Sequence, residues 1–153
     1  MGVLYDYFRS ASDAAAVSLM DELGGGPVAT ADGGAVDAVD LKGIDPTVIL
    51  GRLVGLARGI PWEVGLVATE LLWTGDEQEG PWLTSIGDAA RGTLASIGSA
   101  DARNLSGQWG QTEELARNGP LPNDQLLPII DRIAGLVRRA RDAGDHLYCW
   151  CSL

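Results

Sequence analysis

The sequence predicts an α+β protein in which a small mixed or antiparallel sheet is covered by about five helices. Strand-like segments stand at both ends of the chain, and amphipathic segments with helical spacing lie between them. No linker, repeat or low-complexity segment divides the 153 residues, a length typical of one domain. We therefore expect residues 1–153 to form a single domain whose sheet includes the N- and C-terminal strands.

The N-terminal part is predicted to form a strand, a helix and a short strand. Residues 2–9 alternate and are rich in Val, Tyr and Phe, which favours a strand. Ser10 begins a pattern typical of a capping box, and Gly24–Gly26 is expected to stop the helix that follows. A polar turn at Thr30–Gly34 then leads into a short extended piece at residues 35–41.

The central part contains one clear helix start. Asp45 supplies a carboxylate cap and Pro46 fits the first helical position, so we expect a helix that ends before Gly59. Residues 67–73 are compatible with a strand but also with a helix. Residues 74–80 are expected to form an acidic loop.

The second half is predicted to be mostly helical. Ser85 is expected to cap a helix that reaches about Ile97, and residues 99–118 predict one or two further helices. Gly119–Pro122 is a typical helix breaker.

The last helix is predicted to be the longest. Asn123 or Asp124 is expected to cap it, Pro128 should bend or restart it, and Gly144 should end it. Residues 146–153 then favour a closing strand.

Charge restricts the classes of partner. The chain carries 21 acids and 11 bases, a formal net charge of −10. Nucleic acids and anionic membranes would be repelled, so neither is expected as a partner. A basic protein would be attracted. Homo-oligomers stay open, because a closing strand at a sheet edge offers a second copy a pairing site.

The N-terminus predicts a cytoplasmic protein. It lacks a basic segment followed by an apolar one, and no apolar stretch approaches the ~20 residues of a membrane span. The two cysteines are then expected to be reduced thiols.

An acidic loop between tryptophans is the predicted binding region. Carboxylates beside aromatic anchors are typical of a surface that binds a partner, and a solvated acidic loop is the simpler interpretation. The candidate binding residues are Trp73, Asp76, Glu77, Glu79, Trp82 and Trp150.

The C-terminal Cys-Trp-Cys offers a weaker alternative. On a strand, Cys149 and Cys151 share one face, whereas His146, the only histidine, faces the other way. Zinc sites need about four converging ligands, so we expect buried thiols and no cofactor or metal. A metal or redox role for the two thiols stays open as an alternative.

No set of catalytic residues stands out. A Cys–His or Ser–His pair would have to use His146, and no Gly-x-Ser-x-Gly motif supplies a nucleophile. The sequence therefore favours a non-catalytic interaction protein, for example an acidic immunity protein or inhibitor that covers a basic site. A small hydrolase that uses scattered carboxylates is the main alternative.

Several stretches, in order along the chain, resemble the YfbM-like family of bacterial proteins of unknown function. They are the opening residues 1–9, Asp40-Leu41-Lys42 with the apolar segment 50–56, residues 80–84 before a helix, and residues 141–145 before the last strand. The resemblance implies an α+β fold and no known activity, so it assigns no functional residue.

Overall fold

The protein forms one antiparallel five-stranded sheet with helices on both faces. The computed structural model describes residues 3–29, 36–117 and 123–153. The strands lie in the order β2-β1-β5-β4-β3, and each pairs with its neighbours in antiparallel fashion. The elements along the chain are β1 (Leu4–Ser10), α1 (Asp13–Glu22), β2 (Ala38–Asp40), α2 (Ile49–Arg58), β3 (Thr69–Thr74), β4 (Trp82–Ile86), α3 (Asp88–Ala95), α4 (Ser99–Gly110), α5 (Glu113–Ala116), α6 (Asn123–Ala143) and β5 (His146–Ser152). The predicted α+β class is confirmed, with both terminal strands in the sheet.

The two faces of the sheet are covered unequally. On one face, α1 packs over a small cluster that includes Phe8, Leu83 and Trp150. On the other face, α2, α3, α4 and α6 enclose a larger cluster that includes Tyr7 and Trp109. This division follows from the period of two in the strands, since Tyr7 and Phe8 are both fully buried but on opposite faces.

Three of the expected strands are present with adjusted bounds. The extended piece after the polar turn is only three residues long, and residues 67–73 contribute a strand, so the helical alternative there is wrong. The closing strand pairs with β1 over seven residues and with β4 on its other side. The expectation that it lies at a sheet edge is therefore wrong, because β5 is the central strand and offers a second copy no free edge. The turn predicted at Thr30–Gly34 and the breaker at Gly119–Pro122 lie outside the described residues.

One strand was missed, and the cap assigned within it is wrong. Ser85 lies inside β4, between β3 and β5, and pairs with Tyr148. The following helix begins at Asp88, after Gly87. Trp, Thr and Ile favour strands, but the two adjacent polar residues in Trp82-Leu83-Thr84-Ser85-Ile86 conceal the alternation.

Two other helix starts are shifted by a few residues. Ser10 is the last residue of β1, and Ser12 caps α1 by accepting the backbone N–H of Ala15 at 3.1 Å. The Asp45 carboxylate accepts backbone N–H groups as predicted, but α2 begins only at Ile49. The first turn there is wide, since the Leu50 N–H bonds to the Asp45 oxygen five residues back.

The last helix is continuous from Asn123 to Ala143, so it does not restart at Pro128. A side chain of this helix also caps the C-terminal end of α3. The Arg138 guanidinium donates to the backbone oxygens of Ala95, the last residue of α3, and of Ile97, two residues further on. The predicted stop at Gly144 is confirmed by its left-handed backbone.

A buried carboxylate joins the segment after α1 to the sheet. Asp6 on β1 is 3% exposed, and one of its oxygens accepts the N–H groups of Val28 and Ala29 at 3.0 and 2.9 Å. Burial raises the pKa of Asp6 above its usual range, the nearby Asp40 adds to that rise, and the two N–H donors oppose it. The ionised group therefore positions this segment at some cost in stability.

Replacing Asp6 compares the cost of burying its charge with the gain from its two hydrogen bonds. Asp6→Ala should lower the free energy of unfolding by about 1–3 kcal/mol, because two buried N–H groups lose their acceptor. Asp6→Asn keeps an acceptor oxygen without the buried charge, so it should be close to wild type at pH 7. Urea unfolding of all three proteins measures the differences.

The raised pKa of Asp6 also predicts how the difference in stability between wild type and Asp6→Asn changes with pH. A folded-state pKa above the unfolded value means that the folded protein holds the proton more tightly. Wild type should therefore gain stability relative to Asp6→Asn as the pH falls from 7 through that raised pKa. The gain should level off near pH 4, where the unfolded carboxyl also takes up a proton. A relative loss over that range would contradict the assignment.

Candidate functional site

The sheet places the predicted tryptophans on different faces. Trp73 and Trp150 both align with Leu83, which lies between them on β4. All three residues belong to the α1 face of the sheet. Trp82 is the next residue along β4 and pairs with Cys151, so it lies on the opposite face. The structure therefore brings together Trp73 and Trp150, but not Trp82.

Trp73 and Trp150 line a cleft of about 650 Å³, which we call the indole cleft. Its walls come from the end of α1, the turn that follows α1, the β3–β4 hairpin and the end of β5. The lining residues are Met20, Asp21, Gly24, Gly25, Gly26, Pro27, Trp73, Gly75, Gly80, Pro81, Trp150 and Ser152. The cleft is thus shared by three segments that are distant in the sequence.

Three successive glycines allow the turn after α1 to lie against an indole ring. Gly24, Gly25 and Gly26 have φ angles of 63°, 91° and 102°, in the region that side chains disfavour. Trp150 donates its indole N–H to the Gly25 oxygen at 2.8 Å. A Cβ on Gly26 would lie 2.4 Å from the Trp150 Nε1 atom. Glycine is therefore required here by both backbone conformation and space.

The hairpin loop is held by one of the predicted acids. An Asp76 side-chain oxygen accepts the backbone N–H groups of Gln78 and Glu79 at 2.8 and 3.0 Å. These bonds lower the pKa of Asp76 below its usual range. Asp76 therefore shapes the loop, whereas the side chains of Glu77 and Glu79 are exposed and take part in no hydrogen bond among the described residues.

Most of the indole cleft is built from two stretches of the chain without a basic residue. Residues 10–41 and 59–90 contain no Lys or Arg, and each stretch holds six acids. Both stretches contribute walls of the cleft. Among the described residues, Asp21, Glu77 and Glu79 form no ion pair, and we call the indole cleft together with these three acids the cleft face.

The arginines belong to other parts of the fold. Arg52 on α2 pairs with Glu114, and Arg139 on α6 pairs with Asp37, which also bonds Arg9. These contacts lie among the helices of the larger face or at its border with β1. None of the ion pairs among the described residues therefore involves a residue that lines the indole cleft.

The two thiols lie on the opposite face from the indole cleft. Cys149 is buried in the larger cluster, and Cys151 is half-buried beside Tyr5. Burial raises the pKa of both thiols, which disfavours the reactive thiolate. Within the described ranges, no group of three or more His, Cys, Asp or Glu residues is arranged to hold a metal ion.

His146 has a carboxylate partner that sequence reasoning missed. Its Nδ1 atom lies 2.9 Å from an Asp88 oxygen, at the start of α3. Ser12 and Ser85 line the same open cavity of about 530 Å³. The hydrogen bonds of the described residues include none from a hydroxyl to the imidazole, and Ser12 is occupied in capping α1. The pair therefore lacks a positioned nucleophile.

The residues that complete the indole cleft were also missed, although the sequence held one signal for them. The triple glycine was interpreted only as a helix stop, but three successive glycines exceed what a helix end requires. Asp21 and Pro81 carried no such signal, because their positions depend on how α1 and the hairpin pack on the sheet.

Comparisons with family models, curated proteins and solved structures found no match to this chain. The resemblance to the YfbM-like family stays a prediction. None of the helices in the described part of the chain is both long and apolar enough to cross a membrane.

Proposed function

We propose that this protein is a non-catalytic binding module that holds a basic protein partner on the cleft face. The observation that carries the proposal is the indole cleft, because ten of its twelve lining residues belong to two stretches without any Lys or Arg. Tryptophan is enriched among the residues that dominate protein interfaces. A surrounding field of one sign speeds the approach of a partner of opposite charge.

In its most specific form, the proposal is an acidic immunity protein or inhibitor of the cytoplasm. Such a protein blocks a basic active site or binding site by covering it, so it needs a complementary surface and no chemistry of its own. The exposed Glu77 and Glu79 and the wall residue Asp21 supply the negative charge. Neither nucleic acid nor an anionic membrane suits this surface.

A pull-down of the tagged full chain from its native cell, read by mass spectrometry, tests the proposal. We expect a stoichiometric partner with a high isoelectric point that is released as the salt concentration rises. Capture of only acidic proteins, or of a partner insensitive to salt, would count against the proposal.

A hydrolase is the second candidate, favoured by the 2.9 Å contact between His146 and Asp88. A carboxylate that orients an imidazole is one part of a Ser-His-Asp triad. Labelling by a fluorophosphonate that reacts with activated serines, lost in His146→Ala, would favour the hydrolase over the binding module.

A further inference from the structure

We infer that the indole cleft receives an arginine side chain of the partner. This inference rests on the proposed function and adds to it the chemical class of group that the cleft recognises.

The walls suit a flat cationic group. Trp73 is half-buried and lines the opening, whereas Trp150 is only 4% exposed and forms the floor. Pro27 and Pro81 complete the apolar sides. A guanidinium stacks on indole faces and loses less hydration than an ammonium when it does so.

The backbone of the cleft rejects anions. The N–H groups of Gly24, Gly25 and Gly26 already bond to the carbonyl oxygens of Asp21, Met20 and Leu23. An anion site at a loop or helix end needs free N–H groups, so this turn is unsuited to phosphate or carboxylate.

On the hairpin side of the cleft, backbone N–H groups are also occupied by hydrogen bonds within the protein. The Gly75 N–H donates to the Pro81 oxygen at 2.9 Å, and the Gly80 N–H donates to the Asp76 oxygen at the same distance. The Asp76 carboxylate occupies the N–H groups of Gln78 and Glu79. Both sides therefore use these backbone N–H groups internally and do not offer them to an anion.

The negative charge at the cleft also favours a cationic ligand. Asp21 lies on the wall, and the loop with Glu77 and Glu79 joins the wall residues Gly75 and Gly80. Arginine carries five N–H donors and no acceptor, so it complements the Asp21 carboxylate and the negative charge of the hairpin loop. Its charge is also permanent, which makes binding independent of pH near neutrality.

The test titrates the full chain with N-acetyl-arginine amide and follows the tryptophan indole N–H signals by NMR. The chain has five tryptophans, and the Trp73→Phe variant assigns the Trp73 signal. The control probe is the citrulline analogue, which has nearly the same shape but no charge. We expect saturable shifts of the Trp73 and Trp150 signals with the arginine probe, several-fold smaller shifts with citrulline, and no shift of the buried Trp109 signal.

Two results with the wild-type protein would overturn the inference, and a third comes from a variant. One is the absence of a saturable shift at Trp73, and the other is an equal response to arginine and citrulline. The exposed Asp21→Asn variant should weaken the arginine response several-fold without changing the fold, so an unchanged response also contradicts the inference.

Capture of the basic partner by variants of the cleft face distinguishes this inference from the proposed function. Trp73→Leu should weaken capture of the basic partner several-fold, with near-wild-type thermal unfolding as the check on folding. If Trp73→Leu binds as wild type while capture still depends on Glu77 and Glu79, the proposed function stands and the arginine site is wrong. If capture depends on none of these residues, both are wrong.

Discussion

Trp109→Ala is expected to lower the free energy of unfolding by about 3–5 kcal/mol, the range for truncating a large buried aromatic side chain. Trp109 on α4 is fully buried in the larger cluster. Its indole N–H donates to the backbone oxygen of Ile49, the first residue of α2, at 2.8 Å. One side chain therefore supplies both packing and a hydrogen bond between two helices. Urea unfolding followed by circular dichroism measures the change.

Two further variants help to interpret the loss of stability in Trp109→Ala. One removes the hydrogen bond but keeps most of the apolar volume, and the other is a surface control. Trp109→Phe keeps most of the apolar volume but loses the bond to Ile49, so it should cost about 1–3 kcal/mol. Val64→Ala is the matched surface control, because Val64 is 89% exposed and should change stability by less than about 0.5 kcal/mol. A loss below about 1 kcal/mol in Trp109→Ala would contradict the packing described for α2 and α4.

Neutralising three acids of the cleft face is expected to weaken partner binding at least about tenfold. The variant is Asp21→Asn, Glu77→Gln and Glu79→Gln, all exposed, with Asp76 left in place because it shapes the loop. Each exposed charge pair contributes about 0.2–1 kcal/mol, and tenfold in affinity corresponds to about 1.4 kcal/mol. The Kd for the captured partner, measured by isothermal titration calorimetry, gives the ratio.

The matched control removes the same amount of charge elsewhere. Asp101, Asp131 and Asp142 are exposed on α4 and α6, and changing all three to Asn also removes three negative charges. Because long-range attraction depends on net charge, this control isolates the effect of position. Both proteins should unfold at nearly the wild-type temperature.

Much of the fold could be predicted from local patterns in the sequence. Residues 4–10 and 146–152 are rich in the aromatic residues that favour strands, and the two strands pair side by side in the sheet. The stops at Gly59 and Gly144 are both left-handed glycines, which is what a glycine after an amphipathic run predicts.

The errors arose where tertiary contacts decide the local structure. Residues 82–86 hold adjacent polar residues, and only their position between two other strands makes the segment a central strand. Ser10 has good capping chemistry, but its backbone pairs with His146, which leaves the cap to Ser12. Local propensity could not reveal either of these competing contacts.

The site was predictable only in part for the same reason. The acidic loop and its neighbouring tryptophans were visible in the sequence, but the assignment of side chains to faces was not. A bulge between Leu71 and Trp73 changes the register of β3 and places Trp73 on the α1 face, whereas Trp82 lies on the other face. Such a bulge leaves no reliable sign in the sequence.

The affinity comparison between the two charge variants tests the central claim most directly. If the cleft face holds the basic partner, the Kd at physiological salt should rise at least about tenfold for the Asp21, Glu77 and Glu79 variant. It should change by less than about threefold for the Asp101, Asp131 and Asp142 variant. Equal weakening by both variants, or no weakening by the first, would contradict the assignment of the binding surface.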